Sequence, residues 1–372
     1  MKMYNSTNDF EQIVIQERPL IDVRAPIEFE KGAFLNAVNL PLMNNEERRL
    51  VGTCYKEEGN KAAVQLGHQL VSGATREARI DAWEAHIKKH PETMLYCFRG
   101  GLRSEISQDW IFHRTGKNII RLEGGYKAFR NYLINNLDPQ EQKSTPILLA
   151  GYTGSGKTLL LKRIENSIDL EGLAHHRGSS FGRQIVAQPT QITFENNLAY
   201  KLIQHRNKAF RYLIVEDESK NIGKCMIPKP LYEYFNQGHL ILLSIPFEER
   251  VKNTLNEYVI QSQSDYIKLF GNELGLSEWS NYISTSMKKI KNRLGGDLHQ
   301  RVVKTFEQAC KEQIFSGNQE SHKTWIEILL REYYDPMYDY QSKKIQKPVL
   351  FKGDGEDVLQ YLRNFHSERL LT

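Results

Sequence analysis

The sequence has no long hydrophobic run. Its longest apolar stretches, Pro146–Ala150 and Leu240–Ile245, are far shorter than the roughly 18 residues that a membrane helix needs. The N-terminal residues also lack the apolar core of a secretion signal. We therefore expect a cytoplasmic protein without membrane contact.

Cysteine is scarce and charge of either sign is nearly balanced. The four cysteines are far apart and form no C-x-x-C pair, which argues against zinc sites and a disulfide framework. The net charge is +5 and the sequence pI is near 8.8. Such a mild excess permits a polyanionic partner without requiring one.

A chain of 372 residues predicts two domains. In the first part, short apolar segments that read as buried strands alternate with segments of helical spacing. The predicted strands are Pro19–Val23, Ala37–Leu40, Met94–Phe98 and Asn118–Leu122. The predicted helices are Thr75–His90, Arg103–His113 and Tyr126–Leu137. This alternation favours a parallel sheet with helices on its faces.

A second α/β unit is predicted after a polar linker. Residues 1–137 form the first predicted domain, residues 138–145 the linker and residues 146–372 the second domain. Its predicted strands are Ile147–Ala150, Tyr212–Val215 and His239–Ile245, and its first predicted helix is Thr158–Asn166. From about residue 250 to 372 we expect a helical C-terminal region, with turns at Gly271, Gly295 and Gly317.

The first candidate site is a cysteine loop between a predicted strand and a predicted helix. The loop consists of Cys97, Phe98, Arg99, Gly100, Gly101, Leu102, Arg103 and Ser104. We expect the thiol to face backbone N–H groups at a helix N-terminus, a setting that binds anions. Such donors, together with two arginines, favour a reactive thiolate, so Cys97 is the candidate catalytic residue.

This loop resembles the active site of rhodaneses, and other segments agree with that resemblance. Pro19–Arg24 resembles the rhodanese entry motif, and Leu122–Gly125 resembles the family's glycine pair after the last core strand. The resemblance implies a cysteine that carries sulfur or selenium for transfer. However, Arg103 follows Cys97 by six residues, a spacing that also describes rhodanese-related phosphatases. The loop alone leaves chalcogen transfer and phosphate hydrolysis open.

The second candidate site is a P-loop. Gly151–Thr158 satisfies G-x-x-x-x-G-K-[ST] between a predicted strand and a predicted helix. Such a loop binds a diphosphate through backbone N–H groups, a lysine and a hydroxyl that can ligate Mg²⁺. Its candidate binding residues are Gly151, Gly154, Ser155, Gly156, Lys157 and Thr158, with Thr158 as the candidate Mg²⁺ ligand. Glu216 and Asp217, after an apolar strand, are candidate Walker B carboxylates.

A polar segment after the P-loop connects the two sites. Asp169–Gly182 contains the candidate second-site residues Asp169, His175, His176 and Arg177, and is too rich in Gly, Ser, His and Arg for simple core. With Cys97 and the P-loop in this order, the chain resembles tRNA 2-selenouridine synthases. The resemblance extends over nearly the whole chain and weakens beyond about residue 250.

The resemblance implies fold and function together. The implied fold is an N-terminal rhodanese-like parallel-sheet domain followed by a P-loop NTPase-like α/β domain with a helical C-terminal extension. The implied enzyme geranylates the sulfur of 2-thiouridine at the tRNA wobble position and then exchanges the alkylated sulfur for selenium. Its substrates are geranyl diphosphate, tRNA and selenophosphate. A separate protein supplies the selenophosphate, and the resemblance implies no tightly bound cofactor. We expect a monomer.

Two further interpretations remain at this point. Lys288, Lys289, Lys291 and Arg293 form a basic cluster that could bind RNA phosphates, or could be an ordinary solvated face. The chain could also be a P-loop kinase or NTPase with a rhodanese-like regulatory or sulfurtransferase module. That alternative predicts nucleotide turnover without tRNA.

Overall fold

The computed structural model describes residues 5–344 and 347–366. The chain folds into two compact units, one of residues 1–142 with 190–208 and the other of residues 143–189 with 209–372. None of the described helices is long and apolar enough to cross a membrane.

The strands and helices alternate through most of both units. The strands are β1 (Ser6–Thr7), β2 (Leu20–Asp22), β3 (Ala37–Asn39), β4 (Met94–Tyr96), β5 (Ile120–Leu122), β6 (Thr145–Gly151), β7 (Ser167–Ile168), β8 (Tyr212–Glu216), β9 (Asn221–Ile222), β10 (Cys225–Met226), β11 (His239–Leu243) and β12 (Val349–Gly353). The helices are α1 (Phe10–Ile15), α2 (Pro26–Lys31), α3 (Asn45–Glu58), α4 (Asn60–Leu70), α5 (Gly73–Lys89), α6 (Leu102–Thr115), α7 (Gly125–Asn135), α8 (Lys157–Leu161), α9 (Leu170–Ala174), α10 (Gln191–Asn207), α11 (Lys229–Phe235), α12 (Phe247–Leu255), α13 (Ser262–Phe270), α14 (Asn272–Leu294), α15 (Gly296–Ser316), α16 (Lys323–Leu329), α17 (Asp335–Lys344) and α18 (Gly355–His366). The described residues also form short 3₁₀ segments at Pro139–Glu141 and Glu320–His322 and π-helical segments at Asn256–Gln261 and Leu330–Tyr334.

The first unit is built on a five-stranded parallel sheet in the order β1-β5-β4-β2-β3. Most of the apolar residues that predicted its strands are buried, among them Ile21 and Leu95 at 0% exposure, whereas those of β3 are partly buried. Trp83 of α5 and Trp110 of α6 pack in the same core. The predicted parallel α/β fold of this unit is confirmed, whereas the helical pair α3–α4 was not predicted.

The second unit contains another five-stranded parallel sheet, in the order β12-β11-β6-β8-β7. Its predicted α/β fold is confirmed. A second core, with Trp279, Phe306 and Trp325, lies among the C-terminal helices. Those helices end at Gly271, Gly295 and Gly317, as predicted.

Three features of the second unit differ from the sequence-based expectation. The helix after the P-loop ends at Leu161 instead of Asn166, because the Ser167 hydroxyl donates to Leu161 O and Ile164 O and turns the chain into β7. The C-terminal region is not wholly helical, since β12 pairs with β11 at the sheet edge. The segment 190–208, which the prediction assigned to the second domain, belongs to the first unit.

The contacts of α10 explain its place in the first unit. The buried Asn196 side chain donates to Ala33 O at 2.7 Å, and Ala33 N donates to Thr193 Oγ1 at 3.1 Å. The Tyr200 ring lies 5.8 Å from that of Phe129 on α7. Buried polar and aromatic contacts of this kind hold a helix in place because unpaired buried groups are costly.

Candidate functional site

The cysteine loop lies at the carboxyl end of a central strand. Cys97 follows β4 directly, and α6 begins at Leu102, so the loop joins strand to helix as predicted. The loop is fastened to the start of α7, because Tyr126 N donates to Cys97 O at 2.9 Å and Lys127 N donates to Phe98 O at 3.0 Å. These two backbone hydrogen bonds fix the first residues of the loop.

Gly125 packs directly against this loop. A Cβ at this position would lie 2.3 Å from Cys97 O and 2.4 Å from Gly100 N. Its φ of +57° is also in the left-handed region that favours glycine. The loop geometry thus depends on a glycine from the segment after β5.

The Cys97 thiol lies beside polar atoms at the N-terminus of α6. It is 3% exposed, and Sγ is 3.2 Å from Ser104 Oγ and 3.7 Å from Gly101 O. The Ser104 hydroxyl itself donates to Gly101 O at 2.8 Å, so its oxygen is available to accept from the thiol. These contacts present Sγ as a hydrogen-bond donor, which differs from the expected cradle of N–H groups around a thiolate.

The two loop arginines have different surroundings. Arg99 is exposed, as are Phe98 and Leu102. Arg103 is paired with Glu28, with Nη1 2.7 Å from Oε2. Burial acts to raise the pKa of Glu28, but the hydrogen bond and charge of Arg103, with Arg48, hold that pKa below its ordinary value. The structure therefore places Arg103 in an ion pair at the edge of the loop.

The P-loop connects β6 to α8, as predicted. Gly154 has φ +79°, and a Cβ there would lie 2.6 Å from Arg250 O. Gly156, with φ +84°, precedes the first residue of α8, Lys157. Ser155 is 5% exposed, and its Oγ is buried without a hydrogen-bond partner among the described residues. A helix N-terminus preceded by this turn is suited to phosphate groups.

Lys157 is held close to the loop backbone. Its Nζ donates to Gly151 O at 2.9 Å. Burial acts to lower the pKa of Lys157, but Tyr338, Glu218 and Glu171 outweigh it, so the pKa is raised and the ammonium keeps its charge. The lysine is thus a positive charge at the base of the loop.

A small cavity of about 50 Å³ lies over the P-loop, lined by residues of the loop and by three carboxylates, Glu171, Glu218 and Glu257. Burial first, and then the charge of Glu171, raise the pKa of Glu218 to about 8. Burial likewise raises the pKa of Glu257. Neither Glu171 nor Glu218 was among the predicted site residues.

Glu171 connects the P-loop to the polar segment that follows it. Thr158 Oγ1 donates to Glu171 Oε2 over 3.3 Å, and Gly178 N donates to Glu171 Oε1 at 2.6 Å. A hydroxyl and a carboxylate side by side fit Mg²⁺, which is held by one or two carboxylates together with substrate phosphates and water. Among the described residues, no group of three or more His, Cys, Asp or Glu side chains could hold a metal.

The candidate carboxylates Asp169, Glu216 and Asp217 lie elsewhere. Asp169 caps α9, with Oδ1 accepting from Gly172 N at 2.6 Å. Glu216 Oε2 accepts from Leu170 N at 2.7 Å, and burial, with the charges of Asp169 and Glu171, raises the pKa of Glu216 well above its ordinary value. Asp217 lies 3.7 Å from Lys347 Nζ. The P-loop cavity is lined instead by Glu218, the next residue of this acidic run.

Only one of the predicted residues 175–177 lines the P-loop cavity, and it is Arg177. The Arg177 guanidinium also lies 5.4 Å from the centre of the Tyr258 ring. His175, in the left-handed region at φ +49°, has Nδ1 3.3 Å from Ala187 O. Burial, and then the charge of Lys289, lower the pKa of His176.

The side chains of Arg250 and Asn253 on α12 donate hydrogen bonds to the backbone of the P-loop. Arg250 Nε donates to Thr153 O, and Asn253 Nδ2 donates to Gly154 O, both at 3.0 Å. Arg250 is 6% exposed and paired with Asp335. Neither Arg250 nor Asn253 was among the predicted site residues.

The basic cluster lies on the C-terminal half of α14. Lys288, Lys289, Lys291 and Arg293 are all exposed. Lys289 also lines a cavity of about 300 Å³ together with Arg183, Tyr266 and Tyr282. The cluster is accessible, and its binding of RNA stays a prediction.

Comparisons with known proteins agree with this arrangement. Residues 6–132 match the rhodanese-like domain family, and residues 144–369 match the AAA domain of tRNA 2-selenouridine synthase. A tRNA 2-selenouridine synthase of Sulfurovum sp. is 50% identical and covers 98% of this chain and 100% of its own. Those of Hydrogenovibrio crunogenus and Shewanella frigidimarina are 48% and 46% identical, covering 97% and 96% of this chain and 99% and 97% of their own. With both family segments in one chain and likeness along its whole length, the chain belongs to the tRNA 2-selenouridine synthase family.

Proposed function

We propose that the protein replaces the sulfur of a wobble 2-thiouridine in tRNA with selenium, through an S-geranyl intermediate. The observation that carries the proposal is full-length likeness to tRNA 2-selenouridine synthases at up to 50% identity. Cys97 and the P-loop, each at the carboxyl end of a parallel strand, support it. Ligands of open α/β sheets bind at that end.

The first step is assigned to the P-loop. The thiocarbonyl sulfur attacks C1 of geranyl diphosphate, the C1–O bond breaks, and pyrophosphate leaves while the base loses its N3 proton. Developing negative charge on the pyrophosphate would be stabilised by loop N–H groups and by Lys157. Mg²⁺, where used, would be held by Thr158 and Glu171 and would supply further charge neutralisation.

The second step is assigned to the Cys97 loop with selenophosphate. Selenium attacks C2 of the alkylated base, the C2–S bond breaks and geranylthiolate leaves. Water then cleaves the P–Se bond and releases phosphate. Selenium has the same oxidation state in selenophosphate and in the product, so this exchange needs no perselenide on Cys97. The donor contacts of Sγ suit a different role, in which the thiol protonates the departing sulfur.

The test is an omission experiment. The protein is incubated with 2-thiouridine tRNA, geranyl diphosphate and selenophosphate, each omitted in turn, and the nucleosides are weighed by mass spectrometry. When selenophosphate is absent, we expect the geranylated nucleoside. When geranyl diphosphate is absent, we expect the 2-thiouridine to remain unchanged. Steady ATP hydrolysis without tRNA, and no change in the nucleosides, would instead support a P-loop NTPase with a rhodanese-like module.

A further inference from the structure

The rhodanese-like unit contains a cavity of about 530 Å³ that neither assigned step uses. It lies between the helical pair α3–α4 and the first turns of α6, with Val51 and Val64 on one side and Leu102 and Ile106 on the other. Its volume is in the range of pockets that bind small organic molecules, and such pockets are mostly apolar.

The cavity and the cysteine border the same buried cluster, although Cys97 itself does not line the cavity. Leu42, Met43 and Trp110 line the cavity and belong to the same buried cluster as Cys97. On the same helix, Leu102 and Arg103 line the cavity while Ser104 contacts Sγ. A group held in this cavity would thus lie next to the loop that carries the thiol.

The charged residues of the cavity wall are all cationic. Arg48, Arg49, Lys56 and Arg103 contribute to the lining, and none of the described residues that line it is Asp or Glu. Arg48 and Arg103 are both bound to the single carboxylate of Glu28, at 3.0 Å and 2.7 Å, which leaves this trio with a net positive charge. An apolar interior with a positive edge matches a hydrocarbon chain attached to a polyanion.

We infer that this cavity receives the prenyl chain of the S-alkylated wobble nucleotide during selenium exchange. The inference rests on the proposed function, and it assigns the chain a site in the rhodanese-like unit. With the chain bound there, the selenium of selenophosphate forms its bond to C2, the C2–S bond breaks, and water then cleaves the P–Se bond and releases phosphate. The geranylthiolate takes a proton from the thiol and remains in the cavity until it dissociates. The arginines that line the cavity contact the tRNA phosphates beside this nucleotide.

The inference predicts dependence on chain length. Each buried CH₂ contributes about 0.8 kcal/mol, which is about fourfold in affinity. Selenium exchange is measured with tRNAs carrying premade S-methyl, S-dimethylallyl and S-geranyl groups, so that the geranylation step is bypassed. We expect kcat/KM to rise by at least about tenfold at each step of this series, from S-methyl to S-dimethylallyl and from S-dimethylallyl to S-geranyl, mainly through KM. Equal kcat/KM for the three alkyl groups would overturn the inference.

A pair of variants tests the location. Val64→Phe fills part of the cavity from α4, whereas Gln65→Phe adds the same ring at the next, exposed position outside the lining. We expect Val64→Phe to lower exchange with the S-geranyl tRNA at least about tenfold more than exchange with the S-methyl tRNA. Gln65→Phe should match the unaltered protein. Equal exchange in the two variants would overturn the inference. A failure of the unaltered protein to geranylate 2-thiouridine tRNA would instead count against the proposed function.

A binding measurement removes dependence on activity and on the folding of a variant. Met43 lines the cavity, so its ¹³C-methyl resonance, assigned with Met43→Leu, reports occupancy in the full chain. Titration with S-geranyl-2-thiouridine nucleoside should shift this resonance saturably, and S-methyl-2-thiouridine should not at the same concentrations. An unshifted Met43 methyl, with shifts at methionines outside the cavity, would place the chain elsewhere and overturn the inference.

Discussion

At the scale of single residues, Cys97 and Lys157 serve different proposed steps, so their loss should have different consequences. We expect Cys97→Ala to lower selenium exchange at least about 100-fold and to leave geranylation near its original rate, because the thiol supports only the departure of alkylated sulfur. Mass spectrometry of the nucleosides measures both. Cys310→Ala, at a half-buried helical cysteine, is the control. A Cys97→Ala protein that exchanges selenium but no longer geranylates would reverse the assignment.

Lys157 carries the complementary prediction. Removing this half-buried charge should slow geranyl transfer by about 100-fold or more, since it would stabilise the leaving pyrophosphate. Exchange on premade S-geranyl tRNA should continue in Lys157→Ala. Lys162→Ala, at the exposed C-terminal end of the same helix, should leave both rates unchanged. Undiminished geranyl transfer in Lys157→Ala would remove the P-loop from the first step.

Glu218 predicts a pH-dependent effect on stability. Burial and Glu171 raise its pKa to about 8 in the folded protein, above the value of about 4.3 of an unfolded glutamate. The folded state therefore holds the proton more strongly, and stability is lost as pH rises from the unfolded pKa to the folded one. Glu218→Gln should raise the Tm of the second unit at pH 8 by about 2–4 °C, and by much less at pH 5. A gain that is larger at pH 5 would contradict this.

At the scale of elements, the cysteine loop depends on the glycine that begins α7. Gly125→Ala should distort the loop and abolish selenium exchange, because its Cβ would overlap Cys97 O and Gly100 N. Gly116→Ala is a matched control, since Gly116 has φ +69° but nothing within 4 Å of its Cβ. Both variants should lose about 1 kcal/mol or more from the backbone conformation. Only Gly125→Ala should change the reactivity of Cys97 toward iodoacetamide, and equal reactivity in the two would contradict the packing argument.

The sequence predicted elements where a local pattern is sufficient. Short apolar runs identified the strands that carry Cys97 and the P-loop, because strands buried on both faces are apolar throughout. It missed the pair α3–α4, of which α3 is largely polar, and β12, whose five residues are mostly exposed. Glu171 escaped notice because its role depends on Thr158 and Gly178, contacts that exist only after folding.

At the scale of the whole molecule, the chain does not divide into its two units at a single point. It leaves the first unit after residue 142, returns for residues 190–208, and leaves again. No local pattern in α10 distinguishes the two assignments, since a helix with many buried residues is compatible with either core. Only the tertiary contacts of Asn196 and Tyr200 decide it. Predicted boundaries based on linkers alone therefore miss a segment that returns.

Binding of a whole tRNA is also a property of the molecule's surface charge. If Lys288, Lys289, Lys291 and Arg293 contact phosphates, each contact releases counterions and adds about 0.9 to the slope of log affinity against log salt. Changing all four to Gln should reduce that slope by about 3 to 4 and weaken tRNA binding at low salt much more than at high salt. Filter binding over a salt series measures both quantities.

The control compares two double variants, Lys289→Gln/Arg293→Gln on α14 and Lys304→Gln/Lys311→Gln on α15, which remove the same charge from two exposed helix faces. Equal slopes for these two pairs would mean that only net charge matters, and that α14 is an ordinary solvated face.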